Sequence, residues 1–379
     1  MPDEIPFNRP SLSGHEWQYL SEAVGAMHIS GDGTFTKRCQ ALLEREMGAS
    51  RVLLTTSCTA ALEMTALLLN LKEGDEVIVP SFTFVSTVNA YALRGAVPVF
   101  CDVRPDTLNL DERLLESLIT PKTRAIVVVH YAGIGAQMDE ILRIGESAEI
   151  PVIEDNAHGL FGRWKGRPLG SFGTFATQSF HETKNFFCGE GGALVLNKPE
   201  HVHRAEIFWE KGTNRKQFFQ GLVDKYSWMD LGSSFLPSDM LAAFLYAQLE
   251  SRDSIQGKRG AIWHRYHEQL SEWALANGIG QPHVPPECDN PFHMYYLLHP
   301  DGETRNRFIR EMRALGVMCV FHYLPLHLSE MGRKIGRPGD ECPVTESVSE
   351  RLVRLPFFTE MSDSEVDSVI AAVNSFSGE

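Results

Sequence analysis

The sequence predicts an α/β protein in which a large, mostly parallel sheet carries helices on both faces and a smaller α+β unit follows. Three observations lead there. Short apolar runs alternate with segments of helical periodicity from Arg51 to Asp155. The runs are continuous rather than alternating, as strands covered on both faces are. Past Asn277 the pattern changes to Pro-rich loops, short strands and isolated helices.

In order, Ser13-Gly14-His15-Glu16 has the spacing of a capping box, with Leu12 and Trp17 placed as a hydrophobic staple. Trp17, Leu20, Val24 and Met27 follow on one helical face. The strands are Val52-Leu53-Leu54, Glu76 to Val79, Pro98-Val99-Phe100, Ala125 to Val129 and Pro151-Val152-Ile153, with helices at Ala60 to Leu69, Val85 to Leu93 and Asp139 to Ala148. Ser238 to Glu250 reads as a helix and Arg252 to Asn277 as a longer one that leaves the first unit. Then come a strand at His293 to His299, a helix at Arg305 to Leu315, a strand at Val317 to Phe321 and a last helix capped by Ser362-Asp363-Ser364-Glu365. The expected units are residues 1–249 and 250–379.

The 379 residues include 43% hydrophobic and 22% charged ones, a balance that suits a folded, water-facing protein. A net charge of −14 without a basic stripe argues against a nucleic-acid partner. The seven cysteines are scattered, with no C-x-x-C pair, which fits neither a disulfide framework nor a zinc site and points to a reducing cytoplasm. No metal site is expected. Met1 to Pro6 lacks the features of a secretory leader, and no apolar run is long enough to span a bilayer, so no membrane contact is expected.

Ligands of such sheets gather at the carboxyl ends of the strands. Three polar stretches follow strands here. Thr177-Gln178-Ser179-Phe180-His181-Glu182-Thr183-Lys184-Asn185 presents a lysine in a turn, trailed by Gly189-Glu190-Gly191-Gly192. Glu154-Asp155 ends an apolar strand, and Ser57-Cys58-Thr59 opens a helix. An amine, an acid and a phosphate-sized cup at a helix N-terminus are what pyridoxal phosphate requires of a protein. Lys184 would then form the Schiff base and move protons. Asp155 would keep the ring nitrogen protonated. Glu154 points to the other strand face and is the weaker candidate. His158 is placed to reach the ring oxygen. Ser57, Cys58, Thr59 and Ser179 would hold the phosphate, and Phe82 or Phe84 would stack on the ring. Each residue also has a plainer reading, as a solvated lysine, a turn cap, a helix cap or a core aromatic.

Ser57-Cys58-Thr59-Ala60-Ala61-Leu62, Pro80-Ser81-Phe82-Thr83-Phe84, Glu154-Asp155-Asn156-Ala157-His158, Ser179 to Asn185 and Gly189 to Gly192 occur in the order and spacing of the DegT/DnrJ/EryC1/StrS aminotransferases. The chain resembles that family over nearly its whole length, through Gly232 to Leu249 and His322-Tyr323-Leu324-Pro325-Leu326-His327. The resemblance implies a fold-type I enzyme dependent on pyridoxal 5'-phosphate that aminates nucleotide-linked keto sugars. It gives Lys184 the Schiff base, Asp155 the ring nitrogen, His158 the ring oxygen and Phe84 the stacking face. The phosphate falls to Cys58, Thr59 and Ser179. It also implies a homodimer with shared active sites. Two departures stand out. Cys58 occupies a position where many relatives have glycine, and Gly232-Ser233-Ser234-Phe235-Leu236 replaces Gly-Tyr-Asn-Tyr-Arg, so Ser234 stands for the asparagine that reaches the neighbouring subunit's phosphate.

With Lys211-Gly212-Thr213-Asn214-Arg215, these variants are similar to a branch that moves the amino group of L-glutamate onto C4 of dTDP-4-keto-6-deoxy-D-glucose. The product is dTDP-4-amino-4,6-dideoxy-D-galactose, for surface polysaccharide. Lys211 and Arg215 would meet the diphosphate or the donor carboxylates, or belong to a solvated loop. His322, Tyr323 and His327 would line the sugar site. Rival readings are another nucleotide-sugar aminotransferase, a sugar dehydratase, in which histidine replaces the lysine, a non-catalytic cofactor-binding regulator and a cysteine-desulfurase-like enzyme.

Overall fold

A computed structural model describes residues 4–219, 221–337 and 339–378. Met1 to Asp3, part of the stretch read as lacking a leader, lie outside the described residues. The predicted runs are strands β1 (Arg51–Thr55), β2 (Glu76–Pro80), β3 (Val97–Cys101), β4 (Thr123–Val129) and β5 (Val152–Asp155). The short pair β6 (Arg163–Trp164) and β7 (Arg167–Pro168) precedes β8 (Phe175–Ser179) and β9 (Gly192–Leu196). Seven strands form one sheet in the order β1-β9-β8-β5-β4-β2-β3. It is parallel from β3 to β8, while β9 runs antiparallel to both β8 and β1.

Successive strand residues face opposite sides. Leu53, Val77, Val79, Val127, Ile153 and Leu194 enter one core with the helices Cys58–Leu68, Ser86–Ala92 and Val202–Trp209. Their neighbours on the strands pack into two cores on the opposite face. Val52, Leu54 and Val195 meet the helices Thr34–Met47 and Asp239–Glu250, and Ile78, Ile126 and Val128 meet Met138–Ser147. This two-sided cover is why the strand runs contain no polar alternation.

The first helix, Glu16–Gly25, differs from its sequence reading. Trp17 is 72% and Met27 90% exposed, whereas Glu16 and Ala23 are buried. The Glu16 carboxylate accepts hydrogen bonds from Ser13 N, Gly14 N and Gln248 Nε2, so it turns inward against the helix Asp239–Glu250 and the apolar face turns out. The predicted cap is half formed. Glu16 takes the Ser13 N–H, but His15 sits at the cap position and makes no side-chain cap bond. The box at Ser362 makes both of its bonds.

The long helix predicted from Arg252 divides at Leu270 into Arg252–Gln269 and Ser271–Ala276, with Ile262, Tyr266, Leu270 and Ala274 facing a second core. The chain then adds β10 (Cys288–Asp289) to β6, and forms β11 (Tyr296–Leu298), β12 (Val320–Phe321) and β13 (Leu352–Arg354), ordered β11-β13-β12 and antiparallel. The strand predicted to begin at His293 starts at Tyr296. The carbonyls of Phe292 and His293 bond the buried guanidinium of Arg259 at 2.9 and 2.6 Å, which removes them from any ladder. Ile5 packs into this second core, and its backbone bonds Gly316 and Met318. Among the described residues, no helix is long and apolar enough to cross a membrane.

Candidate active site

The carboxyl ends of β2, β4, β5 and β8 open on one cavity of about 780 Å³, closed on its far side by residues around β12 and β13. Ser57, Cys58, Thr59, Phe84, Asp155, His158, Ser179, Lys184, His322 and Tyr323 all line it. The parallel register brings the first of these together, because Val129 pairs with Asp155 and Asp155 with Thr177.

Ser57 caps the helix Cys58–Leu68 by accepting from Ala60 N at 3.0 Å. The Cys58 and Thr59 N–H groups in its first turn have no backbone acceptor among the described residues, and the positive end of the helix favours an anion there. Gly192 makes this approach possible. A Cβ on it would lie 2.3 Å from the Ser57 carbonyl carbon, so only glycine lets β9 pass the start of the helix. Cys58 Sγ sits 3.5 Å from Thr177 Oγ1 and 4.0 Å from Asp155 Oδ1, and burial pushes its thiol up, away from a thiolate.

Asp155 is buried and accepts from Thr87 Oγ1 at 2.7 Å and Ala157 N at 3.2 Å. Burial raises its pKa, opposed by those two bonds and by the Lys184 charge. Glu154, one residue before, points to the other face. Its carboxylate takes the N–H groups of Gly170, Phe172 and Gly173 and faces His130 Nε2 at 2.9 Å, which makes it a structural anchor.

Lys184 lies on a loop closed by backbone bonds, Phe180 N to Gly191 O and Glu182 N to Gly189 O, with Gly189 at φ +88° completing the turn. Burial lowers the amine to about 8, with Cys58 and Asp155 working against the shift and Arg354 adding to it. Mildly alkaline pH therefore suffices to uncharge an amine that would otherwise stay protonated, which leaves it able to act as nucleophile and base.

His158 stacks on His293 with ring centroids 4.3 Å apart, and its buried Nδ1 has no partner. His293 is held by Asn185 Oδ1 at 2.9 Å. Burial keeps His158, His293 and His322 neutral. His322 Nδ1 meets the Tyr131 hydroxyl at 3.0 Å, and Tyr323 lies against Phe84. Phe84 is 56% exposed at the cavity mouth, whereas Phe82 is core.

The structure does not bring the remaining candidates into this cavity. Lys211 and Arg215 lie on an exposed segment beside Glu210, at 3.5 and 3.8 Å, and Ser234 bridges to Glu210 on the same surface. His327 is buried behind the cavity, bonded to Ser81 Oγ at 2.7 Å and Glu346 at 3.2 Å. No group of three or more His, Cys, Asp or Glu side chains is placed to hold a metal ion among the described residues.

The sequence reading overlooked Thr87, His293, Tyr131 and Arg354. Thr87 and Tyr131 carry no local signal. Arg354 does, as a lone cation within the apolar run Leu352-Val353-Arg354-Leu355.

Comparison with known proteins accords with this geometry. The aminotransferase TlmJ of Streptoalloteichus hindustanus superposes with a TM-score of 0.90 at 30% identity, over 98% of each chain. Spr1654 of Streptococcus pneumoniae, solved in its PLP form, gives 0.90 at 27% over 98% of each. DesV of S. venezuelae, solved with a ketimine intermediate, gives 0.88 at 28% over 98% of each. The model of the DegT/DnrJ/EryC1/StrS aminotransferase family matches residues 10–374, and the chain is therefore a member of that family, an aminotransferase on a mixed α/β fold.

Proposed function

We propose that this aminotransferase uses pyridoxal 5'-phosphate to move the amino group of L-glutamate to the C4 ketone of dTDP-4-keto-6-deoxy-D-glucose, yielding 2-oxoglutarate and dTDP-4-amino-4,6-dideoxy-D-galactose. The observation that carries the cofactor and reaction class is one cavity holding an amine lowered to about 8, a buried acid and an unpaired helix N-terminus. The groups present fit the cofactor. Asp155 is a buried carboxylate whose ionised form needs a positive partner, and a pyridinium N–H supplies one. The unpartnered His158 Nδ1 faces the same cavity and suits a ring oxygen. The Cys58 and Thr59 N–H groups, with the Ser179 hydroxyl, suit a phosphate.

When bound, pyridoxal phosphate supplies an aldehyde for the donor nitrogen and an electron-poor ring that spreads negative charge from the adjacent carbon. Asp155 would hold a proton on the ring nitrogen. Lys184 Nζ would take up the proton lost from the donor carbon and deliver the one gained at the sugar carbon. His322 and Tyr323, which line the wall opposite the strand ends, would orient the sugar, and Phe84 at the mouth would cover the cofactor.

The substrate and the C4 position rest on the resemblance of Ser179 to Asn185 and Lys211 to Arg215 to the branch described above. We also place the protein in the cytoplasm as a homodimer with shared sites, supported by seven unpaired cysteines and by the exposed apolar residues Leu222, Tyr226, Trp228, Met229 and Leu231. That segment carries Lys211, Arg215 and Ser234, so these three would serve the neighbouring subunit's site. The deciding experiment incubates the enzyme with L-glutamate and a panel of nucleotide keto sugars and identifies the aminated product by NMR. A product aminated at C3, or derived from another nucleotide, overturns the substrate assignment. Absence of transamination with every sugar overturns the class of acceptor.

A further inference from the structure

We propose that Asn185 and His293 are positioning residues for the contact between His158 and the cofactor's ring oxygen: Asn185 fixes which nitrogen of His293 carries the proton, and the His293 ring, so held, fixes the plane of His158. This deepens the placement of His158 given above and rests on it. A histidine usually owes its orientation to a hydrogen bond on its second nitrogen. His158 has no such bond. Its Nδ1 is buried without a partner, and neither ring nitrogen is hydrogen-bonded among the described residues. Ring contacts must therefore orient it. Tyr131 meets it edge-on, with centroids 5.9 Å apart and planes at 69°, and His322 is tilted at 6.2 Å. His293 lies flat against it, 4.3 Å away with planes 18° apart.

His293 is itself held at two points. Its carbonyl accepts from the buried guanidinium of Arg259 at 2.6 Å, and its Nδ1 lies 2.9 Å from Asn185 Oδ1. The direction of the second bond follows from the other end of Asn185. Asn185 Nδ2 is 2.7 Å from the Pro291 carbonyl oxygen and 3.2 Å from Gln256 Oε1. A carbonyl oxygen only accepts, so the NH2 group of Asn185 must lie on that side and its oxygen toward His293. That oxygen also only accepts, so His293 Nδ1 carries the proton and donates it.

The charged groups facing the two rings are all cations, Lys184, Arg259 and Arg354 at His293 and Lys184 and Arg354 at His158. Tyr131 and His322, which also touch His158, are kept uncharged by burial. A second proton on either ring would thus add a cation among cations in a buried place, and the stack stays neutral. Asn185 follows Lys184 in the chain, so the same turn that presents the amine also anchors the stack. An N–H of His158 held at the ring oxygen stabilises negative charge there. When that support is lost, a proton shared with this oxygen is bound more tightly, and the pH at which the bound cofactor changes its visible absorbance moves upward.

The test titrates the visible absorbance of the holoenzyme with pH, each variant being checked for a borohydride-reducible cofactor link and for thermal unfolding. His158→Phe removes the donor and should raise the midpoint by about 1 pH unit, the worth of one hydrogen bond to a charged oxygen. His293→Ala should move it in the same direction, Asn185→Ala less so, and His293→Phe, which restores a flat ring, should return most of the shift. Combined with His158→Phe, neither alanine change should move the midpoint further, because both act through His158. A purely structural role would lower the unfolding temperature and leave the midpoint in place. An unshifted midpoint in His293→Ala, or a shift that persists in full beside His158→Phe, overturns the role of His293. A shift in His293→Ala with none in Asn185→Ala removes Asn185 from the pair. If His293→Ala does not fold, Asn185→Ala is read alone, with and without His158→Phe, by the same criterion. A His158→Phe midpoint equal to that of the wild type overturns the placement of His158 at the ring oxygen, and this inference with it.

Discussion

Replacing Lys184 by methionine should make the cofactor-free protein more stable. The Lys184 amine titrates at about 8 rather than at the ordinary 10.5 because the cavity withholds water from its charge. Between these two values the folded chain binds fewer protons than the unfolded one, so the wild-type contribution to stability rises with pH across that window. Below about 8 the folded state carries the full cost of a charged, desolvated amine. That gap corresponds to about 3 kcal/mol at pH 7, falling to roughly 2 kcal/mol at pH 9. Methionine is of similar length and needs no solvation, so Lys184→Met should gain an amount of this order at pH 7 and progressively less above it. Urea unfolding of the two cofactor-free proteins at pH 7, 8 and 9 reads the difference, since groups outside the cavity titrate alike in both and Asp155, which the Lys184 charge also affects, titrates well below this window in the unfolded chain. A variant less stable than wild type, or a gain independent of pH, would show that the amine is solvated and that its proton affinity is not what the cavity sets.

Asp155→Asn removes a charge that supports the protonated amine, so Lys184 should titrate below 8, as read from the pH dependence of its acylation in the cofactor-free protein. The same variant should bind pyridoxal phosphate yet transaminate at least about 100-fold more slowly, and near-normal turnover would assign the ring proton to another group. Gly192→Ala places a methyl group 2.3 Å from the Ser57 carbonyl carbon, and the forced shift should cost on the order of 1–3 kcal/mol and weaken phosphate affinity. Unchanged cofactor titration in that variant would mean that the helix start does not form the cup. Trp228→Glu, at a side chain 79% exposed, should convert a dimer to monomers by light scattering if that segment joins two copies. A wild-type protein that is monomeric at micromolar concentration rules the shared site out.

The five apolar runs from Val52 to Ile153 were legible as buried parallel strands because burial on both faces leaves no polar alternation. The carboxyl-end stretches were legible because polar residues that interrupt such runs have few structural reasons to be there. The first helix was misread in its orientation. Periodicity places Trp17, Leu20, Val24 and Met27 on one face, but the direction of that face depends on whether Glu16 finds partners inside, and Ser13, Gly14 and Gln248 provide them. His327 fell into a motif that suits a site, yet its bonds to Ser81 and Glu346 turn it behind the cavity.

Local chemistry in the chain thus specified the strands, the lysine turn, the acid and the helix cup, since each depends on residues that are close neighbours along it. Long-range packing alone settled what surrounds them: Thr87 on Asp155, His293 against His158, and Arg354, its Nε without a partner, in the opposite wall. These contacts join positions from 68 to well over a hundred residues apart, and their free energy comes from burial that no short segment possesses.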